Sequence, residues 1–203
     1  KGSLNYSVVS HGKSSHSSMP AEGINSITNM SKFIQLFNEK FDEVTNTYTN
    51  DVLGTVAASV TIINGGDQVN SIPATTTVQG NIRTIPEFDN TKVKELLKEI
   101  VDELNKEDSV NLELTIDYDL NSVESDKESD LVKAVLAHTN AKIGGISPVT
   151  DAAAFTQTKN KFDVVIYGPG VSTLPHQLDE YVSIEDYLSK IEEYKAIIKE
   201  YLK

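Results

Sequence analysis

Four histidines and one arginine are the side chains of this 203-residue sequence best suited to chemistry. His176 stands in GPGVSTLPHQLDEY, just after a glycine-rich loop that closes an apolar run. Loops at the carboxyl ends of parallel strands are where α/β folds hold ligands, and a neutral imidazole binds zinc, cobalt or manganese. Asp179 and Glu180 could orient that ring or only face water. A metal site needs three or four ligands, and no HExxH-like cluster occurs, so taken alone His176 reads first as a surface-loop histidine. His16 lies among small side chains in SSHSSMP, which leaves its ring free to donate a hydrogen bond to an oxyanion, or free to do nothing. Ser17 and Ser18 make a weak nucleophile pair, because adjacent residues seldom reach the geometry and no GxSxG elbow is present. His11 and His138 offer surface polarity only. Arg83, the single arginine, lies in GNIRTIPEF on the strand face opposite Ile82. There it can grip a carboxylate with two hydrogen bonds or remain a solvated charge. Asn70, in GGDQVNSIPATTT, occupies a turn before a strand, a position where Asn usually serves the backbone.

The elements that must position these residues follow from hydrophobic periodicity. Residues 4–9 predict a strand, and the small-residue stretch 11–23 a loop. Ile24, Ile27, Met30, Phe33, Ile34, Phe37, Phe41 and Val44 recur at helical spacing. Val56, Ala58, Val60 and Ile62 alternate as a strand that Gly65-Gly66 closes. Thr76 to Thr84 alternate as a second strand, stopped by Pro86. Val93, Leu96, Leu97, Ile100, Val101 and Leu104 return to helical spacing. Val110, Leu112, Leu114, Ile116 and Tyr118 alternate again. Strand, helix, strand, strand, helix, strand is the ferredoxin-like βαββαβ order: a four-stranded antiparallel sheet with two helices on one face.

The remainder reads differently. Residues 119–130 are acidic and polar and predict a connection. A helix is expected from about Ser129 to His138, a short one from Asp151 to Thr156, and a long one marked by Ile184, Leu188, Ile191, Tyr194, Ile198 and Tyr201. Residues 162–168, FDVVIYG, form a continuous apolar run that suits a strand buried on both faces. One such strand cannot make a parallel sheet, so this part is expected to lack partners. The expected division is 1–120 and 121–203.

Composition narrows the partners. The net charge is −12, with 38% hydrophobic and 24% charged residues, an ordinary globular balance. No basic patch interrupts the acidity, which argues against nucleic acid and anionic membranes. The absence of cysteine rules out disulfides and thiolate metal sites. No apolar stretch reaches membrane-spanning length, and the opening residues carry no signal-peptide core, so the expected location is cytoplasmic.

Five segments together, in order, resemble the M20 metallopeptidase family, the ArgE/DapE group of deacylases and aminopeptidases. HGKSSHSSMPAEGIN is similar to GKxxHSSxPxxGxN, GGDQVNSIP to GGxxxNxIP, and NIRTIP to NxRxxP; TDAAAF and GPGVSTLPHQLDE complete the set. Within the family the likeness is to the succinyl-diaminopimelate desuccinylase and acetylornithine deacetylase branch. The resemblance implies an α/β architecture: a ferredoxin-like lid, 1–120, and the C-terminal segment of a zinc-peptidase-like catalytic domain, 121–203. It implies two divalent metals, zinc or else cobalt or manganese, with His176 ligating one of them. It implies that His16 stabilises the oxyanion in a partner subunit's site, that Asn70 binds substrate across the same dimer, and that Arg83 holds a substrate carboxylate. Thr150, Gly168, Pro169 and Gly170 would line the pocket. The family's other ligands and its general base, a glutamate, lie in segments that precede the lid, so this chain is expected to be inactive alone. SPVTDA, residues 147–152, departs from relatives that carry two glycines before TD. The implied substrate is an N-acyl amino acid, N-succinyl-diaminopimelate first, with N-acetylornithine or a short peptide as rivals. The implied assembly is a homodimer through the lid. A non-enzymatic dimerisation module and a ligand-sensing βαββαβ domain are the competing readings.

Overall fold

The computed structural model describes residues 1–146, 148–155, 158, 160, 162–171, 174–175 and 177–203. The elements run β1 (Ser3–His11), β2 (Ser15–His16), α1 (Ser26–Thr47), β3 (Ala57–Gly65), β4 (Ser71–Ile72), β5 (Thr75–Arg83), α2 (Asn90–Leu104) and β6 (Leu112–Leu120). They continue with α3 (Asp130–His138), α4 (Ala152–Phe155) and α5 (Ile184–Tyr201). The chain forms two units, one of residues 1–123 and 145–158, the other of 124–144 and 159–203.

The first unit is built on an antiparallel sheet of order β3-β5-β1-β6, with a separate two-stranded ribbon of β2 and β4. This is the ferredoxin-like order that periodicity predicts. Alternation does the sorting in the central strands. Leu4, Tyr6 and Val8 of β1 and Val78 and Ile82 of β5 are fully buried, while Asn5 and Gln79 face out. Gly80 leaves room on that buried face for the Tyr6 phenol: a Cβ there would meet the Tyr6 hydroxyl oxygen at 2.5 Å and the Ser59 carbonyl oxygen at 2.3 Å.

Both helices start on side-chain caps. Asn25 accepts from the amides of Ile27 and Thr28, and Asp89 from that of Lys92. α1 lays Met30, Phe33, Phe37, Phe41 and Val44 on the sheet, and α2 lays Val93, Leu97, Ile100 and Leu104. Phe37 sits 5.5 Å from the Tyr6 ring and 4.6 Å from Phe41, centroid to centroid. Each such side chain contributes roughly 1.5–3 kcal/mol through burial, so this core holds the sheet without help from cross-links.

Periodicity misplaces two residues on the edge strands. Val60 pairs with Gly80 and Ile62 with Gln79, so Thr61 is an extra residue and a β-bulge. Ile62 is therefore turned to the face of Gln79 and Ile63 takes its place opposite Val78, although on this edge strand both stay exposed, at 47% and 56%. In β6, Ile116 pairs with Tyr6 and Tyr118 with Asn5, which makes Asp117 the extra residue. Tyr118 turns outward at 43% exposure, and Asp119 moves to the helix face. A one-residue slip exchanges the faces of everything beyond it, and bulges concentrate on edges. His11, expected in the loop, is the last residue of β1, where its Nε2 lies 3.1 Å from Glu113.

In the second unit, α3 and α5 pack through Ala134, Val135 and Ile197, with Leu131, Val165 and Tyr167 against them. Its helices are those expected from spacing. The run 162–168 is not a strand, and among the described residues this unit contains none. A parallel strand needs neighbouring backbone groups, and here side chains replace them. The Ser125 hydroxyl bonds the Val164 carbonyl and accepts the Val164 amide at 2.9 Å. No helix among the described residues is long and apolar enough to cross a membrane.

Candidate functional site

Two separate places in the first unit hold His16, Asn70 and Arg83. At one end of the sheet, the chain leaving β1 is pinned by Gly12 N–H to the Ala74 carbonyl at 2.7 Å and by a bridge between Lys13 and Ile24. It then forms β2. Ser15 pairs with Ile72 and His16 with Ser71, and the Ser17 amide donates to the Asn70 carbonyl at 3.0 Å. That two-residue ribbon brings together His16, at the end of β2, and Asn70, just before β4, 54 positions apart in sequence. The ribbon is anchored by buried Ser26, whose hydroxyl bonds the Pro73 carbonyl at 3.0 Å and Thr76 at 2.9 Å. Gly66, at φ +76°, makes the turn that sends the chain from β3 towards Asn70.

The donors at this tip are available. His16 and Asn70 are both exposed, and among the described residues neither His16 Nε2 nor the Asn70 side-chain amide has a partner. The other imidazole nitrogen is occupied. His16 Nδ1 lies 2.8 Å from the Ser18 hydroxyl and accepts the Ser18 amide N–H at 3.2 Å. Two side chains that can donate to an anionic oxygen thus stand together on the ribbon.

Arg83 is elsewhere. It ends β5, opposite Ala57, half-buried on the outer face as the alternation requires. Eight residue steps of strand separate it from Thr75 at the tip, about 27 Å at ~3.4 Å per step. This is the root of the unit, where Gly2 and Thr84 exchange backbone hydrogen bonds at 3.0 and 3.3 Å and where β6 ends. No carboxylate lies within 4 Å of Arg83 among the described residues, so its guanidinium is free for a ligand. Asp119, turned inward by the bulge, receives Asn90 Nδ2 at 2.7 Å and Lys94 Nζ at 2.6 Å. Burial alone would raise its pKa, but those two donors outweigh it and hold the carboxyl below the usual range.

Thr150 stands before α4, where its carbonyl accepts the Ala153 amide at 2.9 Å. In the second unit, the Gly168-Pro169-Gly170 turn is fastened to α5. Asp186 accepts the Gly170 amide at 2.8 Å, and the Tyr194 hydroxyl donates to the Tyr167 carbonyl at 2.7 Å. The Gly170 amide, then Lys190 at 3.2 Å, hold Asp186 below the ordinary carboxylate range. Sequence reasoning missed Asp186. The signal was present in Ser183-Ile184-Glu185-Asp186, a capping-box pattern in which Ser183 caps the helix and the acidic residue reaches a loop instead of the cap.

His176 lies outside the described residues. Among the described residues, no group of three or more His, Asp or Glu side chains could hold a metal ion. Those residues do not fit a two-metal site, and the chemistry available in the first unit is hydrogen-bond donation at the tip and charge at the root.

Residues 1–109 match the family model for the peptidase dimerisation domain of the M20 group. The whole chain is 30% identical over 233 residues to a "probable succinyl-diaminopimelate desuccinylase" of Staphylococcus aureus, and covers 56% of that protein. It is 28% identical over 231 residues to a protein of the same description from Staphylococcus epidermidis, again 100% of this chain and 56% of the relative. Among solved structures, the aminopeptidase PepT of Bacillus cereus superposes with a TM-score of 0.74 at 17% identity, covering 100% of this chain and 52% of that one. That likeness concerns the fold. The chain spans about half the length of the curated relatives it matches.

Proposed function

The chain belongs to the M20 peptidase family, of the ArgE/DapE type, and from that premise we propose that the whole protein is a metal-dependent amidohydrolase with an active site completed across a homodimer. Residues 1–120 act as its lid, and 121–203 as the C-terminal segment of its catalytic domain. The observation that carries this reading is the separation within one lid. His16 and Asn70 share the tip, Arg83 sits about 27 Å away at the root, and one small substrate cannot meet both in a single chain. A second copy resolves this, since a two-fold pair can bring one lid's tip to the other subunit's site.

The steps assigned to this chain are those its own groups can perform. Arg83 grips a carboxylate of the substrate with paired hydrogen bonds. His16 Nε2–H from the partner donates to the carbonyl oxygen as it gains charge, and Asn70 adds a second polar contact. Thr150 and, in the second unit, the Gly168–Gly170 turn held by Asp186 are each assigned to substrate contact. His176 would serve as a metal ligand. The substrate is an N-acyl amino acid, with N-succinyl-diaminopimelate as first choice; the two staphylococcal relatives are described by that activity. N-acetylornithine and dipeptides are the alternatives.

The test is activity of the full-length protein on N-succinyl, N-acetyl and dipeptide substrates, with and without chelator. Chelator-sensitive release of succinate supports the reading, and no turnover on any of the three classes contradicts it. The 203-residue chain, supplied with zinc or cobalt, is expected to show no turnover on the same panel.

A further inference from the structure

We propose that Ser18 is a positioning residue that fixes the tautomer of His16, so that the proton sits on the outward-facing Nε2. The inference rests on the reading of His16 as an oxyanion donor, and it adds the reason that ring arrives as a donor. A neutral imidazole carries one proton on one of two nitrogens, and the neighbours of each nitrogen decide which. A backbone N–H can only donate. The Ser18 amide points at His16 Nδ1 from 3.2 Å, so Nδ1 must be the lone-pair nitrogen. The Ser18 hydroxyl lies 2.8 Å from the same atom, and with the lone pair on Nδ1 the hydroxyl is the donor of that pair. With Nδ1 accepting, the proton belongs to Nε2.

The geometry that allows this is local. The Met19 amide bonds the His16 carbonyl at 2.8 Å, closing a four-residue turn over 16–19. The turn folds the Ser18 amide back over the ring, as Asx side chains do in their own turns. The other described histidines differ. His11 Nε2 faces Glu113 at 3.1 Å, and His138 Nε2 faces Glu200 at 3.6 Å. Both spend Nε2 on a carboxylate of the same chain. Only at His16, among the described residues, is Nδ1 capped and Nε2 left over. A ring in the opposite tautomer would present a lone pair to a developing negative charge and repel it.

The measurement is a two-bond proton–nitrogen correlation spectrum of the 15N-labelled 203-residue chain at about pH 8.5, two units above the reference imidazole pKa of about 6.5. His16→Gln identifies the His16 signals. The expected wild-type pattern is one proton-bearing Nε2 and one lone-pair Nδ1. Ser18→Pro, which removes the amide donor, should convert it to a mixture of tautomers, with Ser18→Ala in between. Unchanged His11 and His138 signals report an intact fold. An unchanged ratio in a folded Ser18→Pro chain overturns the proposal. So does a wild-type ring protonated on Nδ1. In the full-length enzyme, Ser18→Pro should lower kcat about tenfold with KM little changed. An Nε2–H ring in a protein whose His16→Ala variant keeps full activity would leave the tautomer assignment standing and sink the functional reading alone.

Discussion

The two ends of the first unit's sheet solve different problems. At the root, Arg83 extends from a central strand, with Thr84 and Asn90 buried and bonded behind it at 2.6 Å. A charged group there is aimed by the sheet itself. At the tip, His16 ends one two-residue strand and Asn70 immediately precedes the other, and the pair is tied down by a few backbone bonds and by Ser26. The root suits a static charge grip, and the tip suits a projection that must reach out of its own fold. On the proposed function, the lid would separate substrate holding from oxyanion donation by the length of a strand, and a second chain would bring them together.

The change that should abolish the comparison altogether is Phe37→Ala. It removes a ring that is 1% exposed and packed between Tyr6 and Phe41. The expected cost is about 3–5 kcal/mol, read by chemical denaturation of the 203-residue chain. Both ends should lose order together, because they share that core. Next in size is His16→Ala in the full-length protein, where the proposed function predicts a kcat lower by about 10²–10³ with little change in KM, as for the loss of one oxyanion donor. Arg83→Ala should act mainly through KM, by about 1.5–3 kcal/mol in kcat/KM, the worth of a hydrogen bond to a charged group. Equal effects of the two substitutions on kcat and KM would erase the distinction between tip and root.

Much of this was legible in the sequence, for a physical reason that also explains the exceptions. Long strands and helices repeat their burial, so Leu4, Tyr6 and Val8, or Phe33, Phe37 and Phe41, announce their faces. The faces of Ile62 and Tyr118 were not legible, because single extra residues at Thr61 and Asp117 reverse the alternation without any change in composition. The ribbon of β2 and β4 has too few residues to show a period, so the pairing of His16 with Ser71 was invisible to spacing; the motif resemblance marked His16 and Asn70 without showing that they are neighbours. The apolar run 162–168 has the composition of a buried strand, but composition supplies no partner for its backbone. Asp186 was hidden because its contact lies 16 residues back, on Gly170.

The smallest expected effect is at the root. The carboxyl of Asp119 is held below its ordinary pKa in the folded chain by Lys94 and Asn90 against the opposing effect of burial. A depressed folded-state pKa stabilises above the unfolded value of 3.8 and is lost as pH falls through the folded one. The pair is 40% and 35% exposed, so solvent screening limits its contribution to under about 1 kcal/mol. Acid titration of stability should therefore show a small loss below pH 3.8 that Asp119→Asn removes, read as a difference in denaturation midpoint between neutral and acid pH.

The central claim is that tip and root serve one substrate only when they come from different chains. Its most direct test is complementation between two full-length variants, His16→Ala and Arg83→Ala, each impaired alone, co-expressed with different tags and purified as the mixed dimer. In that dimer one site has an intact Arg83 of its own and an intact His16 from its partner, and the other site has neither. The predicted activity is about half that of the wild-type dimer. A mixed dimer no more active than its parents would contradict the account, since it would place both residues in the service of their own chain.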